Sequence, residues 1–216
     1  MSVDINDTAQ VDQPRVPTVF MVDDDAGFRR SLAVLVQSAG FAVRDYASAK
    51  EFLDAYQPRW PACLLLDLRM PHVGGLELQA LLTAKKMDLP IIFVSAHGSI
   101  SAAVRALRAG AMDFVEKPFN DQELLDRIHL AMRESQRRRE EALAKSVWMG
   151  RYQQLTPRER EVMKILLTGR TNKQIGTVLG ISYRTVEFYR AQVIRKMGAS
   201  SLADLGQMSE RYKRLT

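Results

Sequence analysis

Short apolar runs alternate with longer amphipathic stretches over the first half of the chain. Thr18–Val22 reads as a buried strand, and Phe28–Ala39 places Leu32, Leu35 and Val36 on one helical face before Gly40 stops it. Ala42–Tyr46 predicts a second strand, and Ser48 is placed to cap a helix through Tyr56. The run Cys63-Leu64-Leu65-Leu66 has the unbroken apolar character of a central parallel strand. Leu76–Lys86 predicts a helix, Ile91–Val94 a buried strand, Ser101–Ala109 a helix ended by Gly110, and Asp113–Glu116 a fifth strand. Five strands, each followed by a helix, predict an α/β domain built on a doubly wound five-stranded parallel sheet.

The pattern changes from Asp121 onward. Leu124, Leu125, Ile128 and Met132 make an apolar stripe, after which Arg133–Glu141 is polar on every face. Glu134/Arg138 and Glu141/Lys145 are spaced i,i+4 in the favourable order, which predicts an exposed helix rather than a flexible linker. Beyond Gly150 no strand-like run occurs. Thr156 can cap a helix that opens Pro157-Arg158-Glu159, with Glu159 three beyond the cap. Thr171–Leu179 is a short helix stopped by Gly180, and Ser182 is placed to cap Tyr183–Met197. Helix, tight glycine-containing turn, helix is the form of a helix-turn-helix. The expected organisation is a flexible leader over 1–17, an α/β domain over 18–133, a helical linker over 134–150 and an all-α domain over 151–216.

Charge sharpens this division. The 216-residue chain has a formal net charge of +6, yet residues 134–216 carry 17 basic and 8 acidic side chains, a balance of +9. Residues 1–133 then hold 14 basic and 17 acidic side chains, or −3. An acidic module joined to a basic one implies two kinds of partner. A single cysteine, Cys63, excludes an internal disulfide and a multi-thiolate metal site. The leader, with Asp4, Asp7 and Asp12, has no apolar core of a secretory signal, and no run is long enough to span a membrane. A soluble, cytoplasmic protein with no membrane partner is expected.

Asp23 and Asp24 follow the first strand, and Asp67 follows the third. Strand ends of a parallel sheet converge on one edge, so three carboxylates should crowd together there, a situation that calls for a cation. A hard, oxygen-preferring ion, Mg2+ by availability, suits such ligands. Ser95 follows the fourth strand and Lys117 the fifth. A carboxylate nucleophile, a metal, a hydroxyl donor and an ammonium together suit the receipt of a phosphoryl group, because they neutralise charge on the transferred oxygens.

The order Val-Asp-Asp, Leu-Asp-Leu-Arg-Met-Pro, Val-Ser-Ala-His and Glu-Lys-Pro-Phe resembles the receiver domain of two-component response regulators, which has a flavodoxin-like fold. The resemblance implies that Asp67 is the phosphoacceptor, that Asp24 binds the metal directly and that Asp23 binds it through water. It adds the carbonyl of Arg69 as a metal ligand and a cis Lys117-Pro118 peptide. Ser95 and Phe114 stand where the family has its switch residues, Ser95 in place of the commoner threonine. His97 is expected to be a rim residue rather than a base.

In the basic half, Leu-Thr-Pro-Arg-Glu-Arg-Glu-Val, Thr-Asn-Lys-Gln-Ile, Leu-Gly-Ile-Ser and Arg-Thr-Val-Glu resemble the LuxR-type DNA-binding domain. The pairing is similar to the NarL/FixJ family, with the long helical connection of its FixJ- and StyR-like members. That implies Lys173, Ser182, Thr185 and Arg190 near phosphates, and Glu187, Phe188 and Tyr189 near bases. Arg184 and Lys196 add positive charge to the same helix. The implied partners are a cognate sensor histidine kinase, promoter DNA and a second copy joined on phosphorylation, with RNA polymerase a further candidate. A phosphatase of the haloacid-dehalogenase kind would need an acid two residues after its nucleophile. Here that position is Arg69, so no enzyme is expected.

Overall fold

A computed structural model describes residues 16–96 and 99–214, and the chain divides into two compact units, residues 1–139 and 140–216. Most of the predicted leader and His97 lie outside the described residues.

The first unit contains β1 (Thr18–Val22), α1 (Ala26–Ser38), β2 (Ala42–Tyr46), α2 (Ala49–Ala55), β3 (Ala62–Leu66), α3 (Gly75–Ala84), β4 (Ile91–Ser95), α4 (Ile100–Arg108), β5 (Asp113–Glu116) and the beginning of α5 (Asp121–Gln153). All strand pairs are parallel, in the order β2-β1-β3-β4-β5. Alternate residues of each strand feed opposite faces, as the period of two requires. Phe20, Leu64, Leu66 and Phe93 pack with Phe52, Leu78 and Leu82 on one side, whereas Met21, Cys63, Leu65 and Ile92 pack with Leu32, Val36, Leu124 and Ile128 on the other. β1 and β3 lie at the centre, and the chain winds away from them in opposite directions. The crevice where the winding reverses is the expected ligand position of such a sheet.

The stretch Arg133–Glu141 departs from its expected solvation on every face. Ser135 is buried and its hydroxyl accepts a hydrogen bond from Ala62 N–H, 3.1 Å, at the start of β3. Arg138 reaches Asp88 at 2.7 Å as well as Glu134, and the Arg139 guanidinium lies 4.3 Å from the Trp60 ring centroid. Its polar composition concealed this packing because each contact is made by a polar side chain. The expected linker over 134–150 is thus divided: its first part packs with the sheet domain, and Trp148 belongs to the core of the second unit.

The second unit holds the end of α5 with α6 (Pro157–Leu166), α7 (Asn172–Leu179), α8 (Tyr183–Met197) and α9 (Leu202–Arg214). Capping boxes at Thr156/Glu159 and Thr171/Gln174 start α6 and α7, and Ser182 accepts from Thr185 N–H to start α8. One core joins Val162, Leu166, Ile175 and Val186, and a second joins Trp148, Leu155, Met163, Val193, Met197 and Leu205. α7 must approach the turn closely: a Cβ on Gly176 would lie 2.7 Å from the carbonyl oxygen of Ile181. A glycine there lets the two helices of the helix-turn-helix meet.

Candidate functional site

The carboxyl ends of the strands bring Asp23, Asp67, Ser95 and Lys117 together. Asp67 N–H donates to Val22 O at 2.9 Å and Lys117 N–H to Ser95 O at 3.0 Å, so backbone pairing continues one residue past the strands and sets both side chains. Asp23, Asp67 and Ser95 are buried. Lys117 Nζ lies 2.7 Å from Asp23 Oδ2 and 3.9 Å from Asp67 Oδ1. Asp67 Oδ2 accepts from Arg69 N–H at 2.9 Å, and the Ser95 hydroxyl also hydrogen-bonds the Asp67 carboxylate. Burial is the main force on Asp67 and lifts its pKa above the ordinary value. Asp23 adds to that rise, while Arg69 N–H, Lys117 and Ser95 oppose it. The peptide between Lys117 and Pro118 is cis.

Asp24 corrects the expected crowding of three carboxylates. It is exposed, and among the described residues no group of three acidic, histidine or cysteine side chains converges closely enough to hold a metal. Asp23 is buried and its Oδ1 accepts from Asp25 N–H at 2.8 Å, whereas Asp24 lies exposed in the bend that follows β1. The donor chemistry still fits a hard cation: two buried carboxylates and the nearby Arg69 carbonyl offer oxygen only, and Mg2+ is commonly held by one or two carboxylates with water completing its shell.

Several contributors escaped sequence reasoning. The Phe28 ring lies 3.4 Å from Lys117 Nζ and holds the ammonium from one side. Arg29 donates to Asp23 O at 2.6 Å. Asp25 caps α1 by accepting from Gly27 and Phe28 N–H, which lowers its own pKa. The three consecutive aspartates were the available signal, and the third serves the helix rather than the site. Gly75 is required by space, since a Cβ there would meet Asp67 O at 2.2 Å and the Phe93 ring at 2.9 Å. Phe114 is half-buried and stacks on Phe93, with centroids 6.1 Å apart.

On the second unit, Lys173, Ser182, Arg184, Glu187 and Phe188 are exposed. Thr185 is half-buried, its hydroxyl 2.8 Å from Ser182 Oγ, and Arg190 reaches Asn172 Oδ1 at 3.3 Å. Two expectations need correction. Tyr189 packs its ring against the Val162, Leu166, Ile175 and Val186 core, which removes most of it from an outer reading face. Lys196 turns inward to Glu159, 2.7 Å away, because Glu159 is buried and needs a counter-charge. Both are half-buried rather than fully on the outer surface.

A phosphoacceptor-like carboxylate at the edge of a five-stranded parallel sheet, joined to a basic helix-turn-helix, defines a two-module signalling protein that binds DNA. Residues 19–129 match the response regulator receiver domain, and residues 153–209 match the bacterial regulatory proteins of the luxR family. The chain belongs to the response regulators of the NarL/FixJ family, with FixJ- and StyR-like members as relatives, and is a DNA-binding transcriptional regulator rather than an enzyme. It is 44% identical to nodulation protein W of Bradyrhizobium diazoefficiens across 89% of this chain and 85% of that protein. It is 41% identical to the transcriptional regulatory protein FixJ of the same species across 89% and 94%. The structure of the response regulator StyR aligns with a TM-score of 0.81 at 41% identity, covering 91% of this chain and all of that one. Among the described residues no helix is long and apolar enough to cross a membrane.

Proposed function

We propose that a sensor histidine kinase phosphorylates Asp67 in the cytoplasm, and that the phosphorylated receiver pairs with a second copy so that two helix-turn-helix units meet promoter DNA. The observation that carries this reading is one buried carboxylate with a backbone N–H, a hydroxyl and an ammonium trained on it. An Asp67 oxygen bonds to phosphorus as the P–N bond of a phosphohistidine breaks and its electron pair leaves with the imidazole. Ser95 donates its hydroxyl to a phosphoryl oxygen. Lys117, 3.9 Å from Asp67, turns from Asp23 to a second. Asp23, Asp67 and the Arg69 carbonyl are the residues that would hold Mg2+, and that ion would supply further neutralisation of the phosphoryl oxygens.

The switch follows from the same atoms. Drawing Ser95 toward the phosphoryl group opens space beside β4, and Phe114 leaves its stack on Phe93 to fill it, with Pro118 fixing the chain beyond Lys117. The surface of α4 and β5 then changes. It exposes Ile100, Val104 and Leu107 beside Arg105 and Arg108, a composition suited to a self-pairing face. Lys173, Ser182, Thr185 and Arg190 contact phosphates, and Arg184, Glu187 and Phe188 face the major groove. The receiver keeps the packed start of the connecting helix through residue 139, and the DNA-binding unit takes its end with Trp148. RNA polymerase is the further partner at the promoter.

Incubation with a small-molecule phosphoryl donor and Mg2+, read by intact mass, tests the reading. One base-labile phosphoryl adduct, absent from Asp67→Asn, is expected, and sedimentation should show the mass doubling with it. An adduct of equal yield on Asp67→Asn refutes it.

A further inference from the structure

Along α8 the exposed positions are Tyr183, Arg184, Glu187, Phe188, Ala191 and Arg195, which recur at spacings of three and four and form one stripe. Val186, Val193 and Met197 are buried on the other side. Arginines on this stripe suit a surface that meets phosphates. Glu187 and Phe188 do not. Glu187 is a carboxylate in the basic half of the chain, and it forms no hydrogen bond or ion pair among the described residues, although Arg184 stands one turn away. Phe188 keeps 58% of its surface exposed, touching the Tyr189 ring edge-on at 5.7 Å between centroids. A phosphate repels the first and offers nothing to the second.

The major groove offers each a counterpart of one kind. A carboxylate only accepts hydrogen bonds. The donors displayed there are the amino groups of cytosine and adenine, and adenine sets its N7 acceptor beside its amino group, where a second carboxylate oxygen would be repelled. Cytosine has no acceptor beside the amino group on its own ring, where it carries C5–H instead. The apolar group in the groove is the 5-methyl of thymine. Glu187 and Phe188 are consecutive on a helix that rises about 1.5 Å per residue, so they reach the same or neighbouring base pairs, stacked about 3.4 Å apart.

We propose that Glu187 selects a cytosine through its N4 amino group, and that Phe188 selects a thymine in the adjacent base pair through its methyl group. This deepens the DNA-binding reading above and rests on it. A C·G pair beside a T·A pair is then the core of each half-site. Arg184, one turn before both, lies within reach of guanine O6 and N7 at a neighbouring position.

The test uses the full-length chain and duplexes recovered by it from a randomised DNA library. Both side chains are exposed, so Glu187→Gln and Phe188→Ala leave the core untouched. Replacing the selected thymine by uracil removes one methyl group and should weaken wild-type binding about fourfold. Phe188→Ala should bind the thymine and uracil duplexes equally. Selection with Glu187→Gln should move the neighbouring column from cytosine to adenine, the base that a glutamine amide matches. Wild-type indifference to uracil, a Phe188→Ala protein as sensitive as wild type, or an unchanged cytosine column with Glu187→Gln overturns the assignment. Salt-dependent binding with no enriched motif overturns it too, while leaving the DNA-binding function in place. Loss of all salt-dependent binding overturns that function and this inference with it.

Discussion

Replacing Lys196 by alanine separates a structural lysine from a DNA-contacting one. The Lys196 ammonium lies 2.7 Å from Glu159 Oε2, and the side chains are 23% and 6% exposed. The same Glu159 oxygen accepts from Thr156 N–H at 2.7 Å and closes the capping box that starts α6. Burial pushes the Glu159 pKa up, but Lys196 and the Thr156 donors outweigh it and leave it below the ordinary value. Breaking a buried pair from one side costs about 3–5 kcal/mol. Lys196 is partly solvated and Glu159 keeps its Thr156 bonds, so about 2–3 kcal/mol is expected for Lys196→Ala. The pH dependence has a definite sign. A lowered carboxyl pKa contributes stability that is present above the unfolded value and is lost as pH falls through the folded one. Removing Lys196 raises the folded value, so the acid-side loss should begin at higher pH and the neutral-pH stability should fall. Urea unfolding followed by Trp148 in a Trp60→Phe background reports this unit alone, because Trp148 lies in its core. The slope of log affinity against log salt should not change, whereas Lys173→Ala should lower it by about one. A Lys196→Ala protein with wild-type stability and a salt slope reduced by one would refute the reasoning.

Asp67→Asn should raise the melting temperature at neutral pH. A carboxyl whose pKa is lifted by burial favours its neutral form in the fold and costs stability once pH exceeds the unfolded value, a cost the amide lacks; calorimetry at pH 7 and at pH 3 should show the gain shrinking in acid. Gly75→Ala should cost several kcal/mol, on the order of a strongly overpacked core substitution, because the Cβ would sit 2.2 Å from backbone oxygen; chemical denaturation measures it, and slower Asp67 phosphorylation should accompany it. Ser135→Ala leaves the Ala62 N–H buried without that hydroxyl and should destabilise the first unit by about 1–3 kcal/mol, read by Trp60 fluorescence in a Trp148→Phe background.

The apolar periodicity determined most of the architecture by itself. β1, β2, β5 and α8 have the bounds read from their hydrophobic pattern, and the other elements read from it start or stop within a few residues of theirs, because period-two and period-3.6 burial leave distinct traces in a chain; α9 was not singled out. Asp67, Ser95 and Lys117 were legible for a related reason: residues at or just past the carboxyl ends of parallel strands must share one edge. Tertiary structure decided what local pattern could not carry. Three adjacent aspartates look alike in sequence, yet the turn from β1 into α1 buries Asp23, exposes Asp24 and makes Asp25 a helix cap. Lys196 read as part of a basic outward face and Tyr189 was placed near bases by resemblance, but Lys196 pairs with the buried Glu159 and Tyr189 packs against the core under α8. Ser135 sits in a polar stretch, and only the strand 73 residues earlier in the chain gives its hydroxyl a partner. Periodicity records how much of an element is buried. It does not record which distant polar group waits on the buried side, because that partner is chosen by packing across the fold.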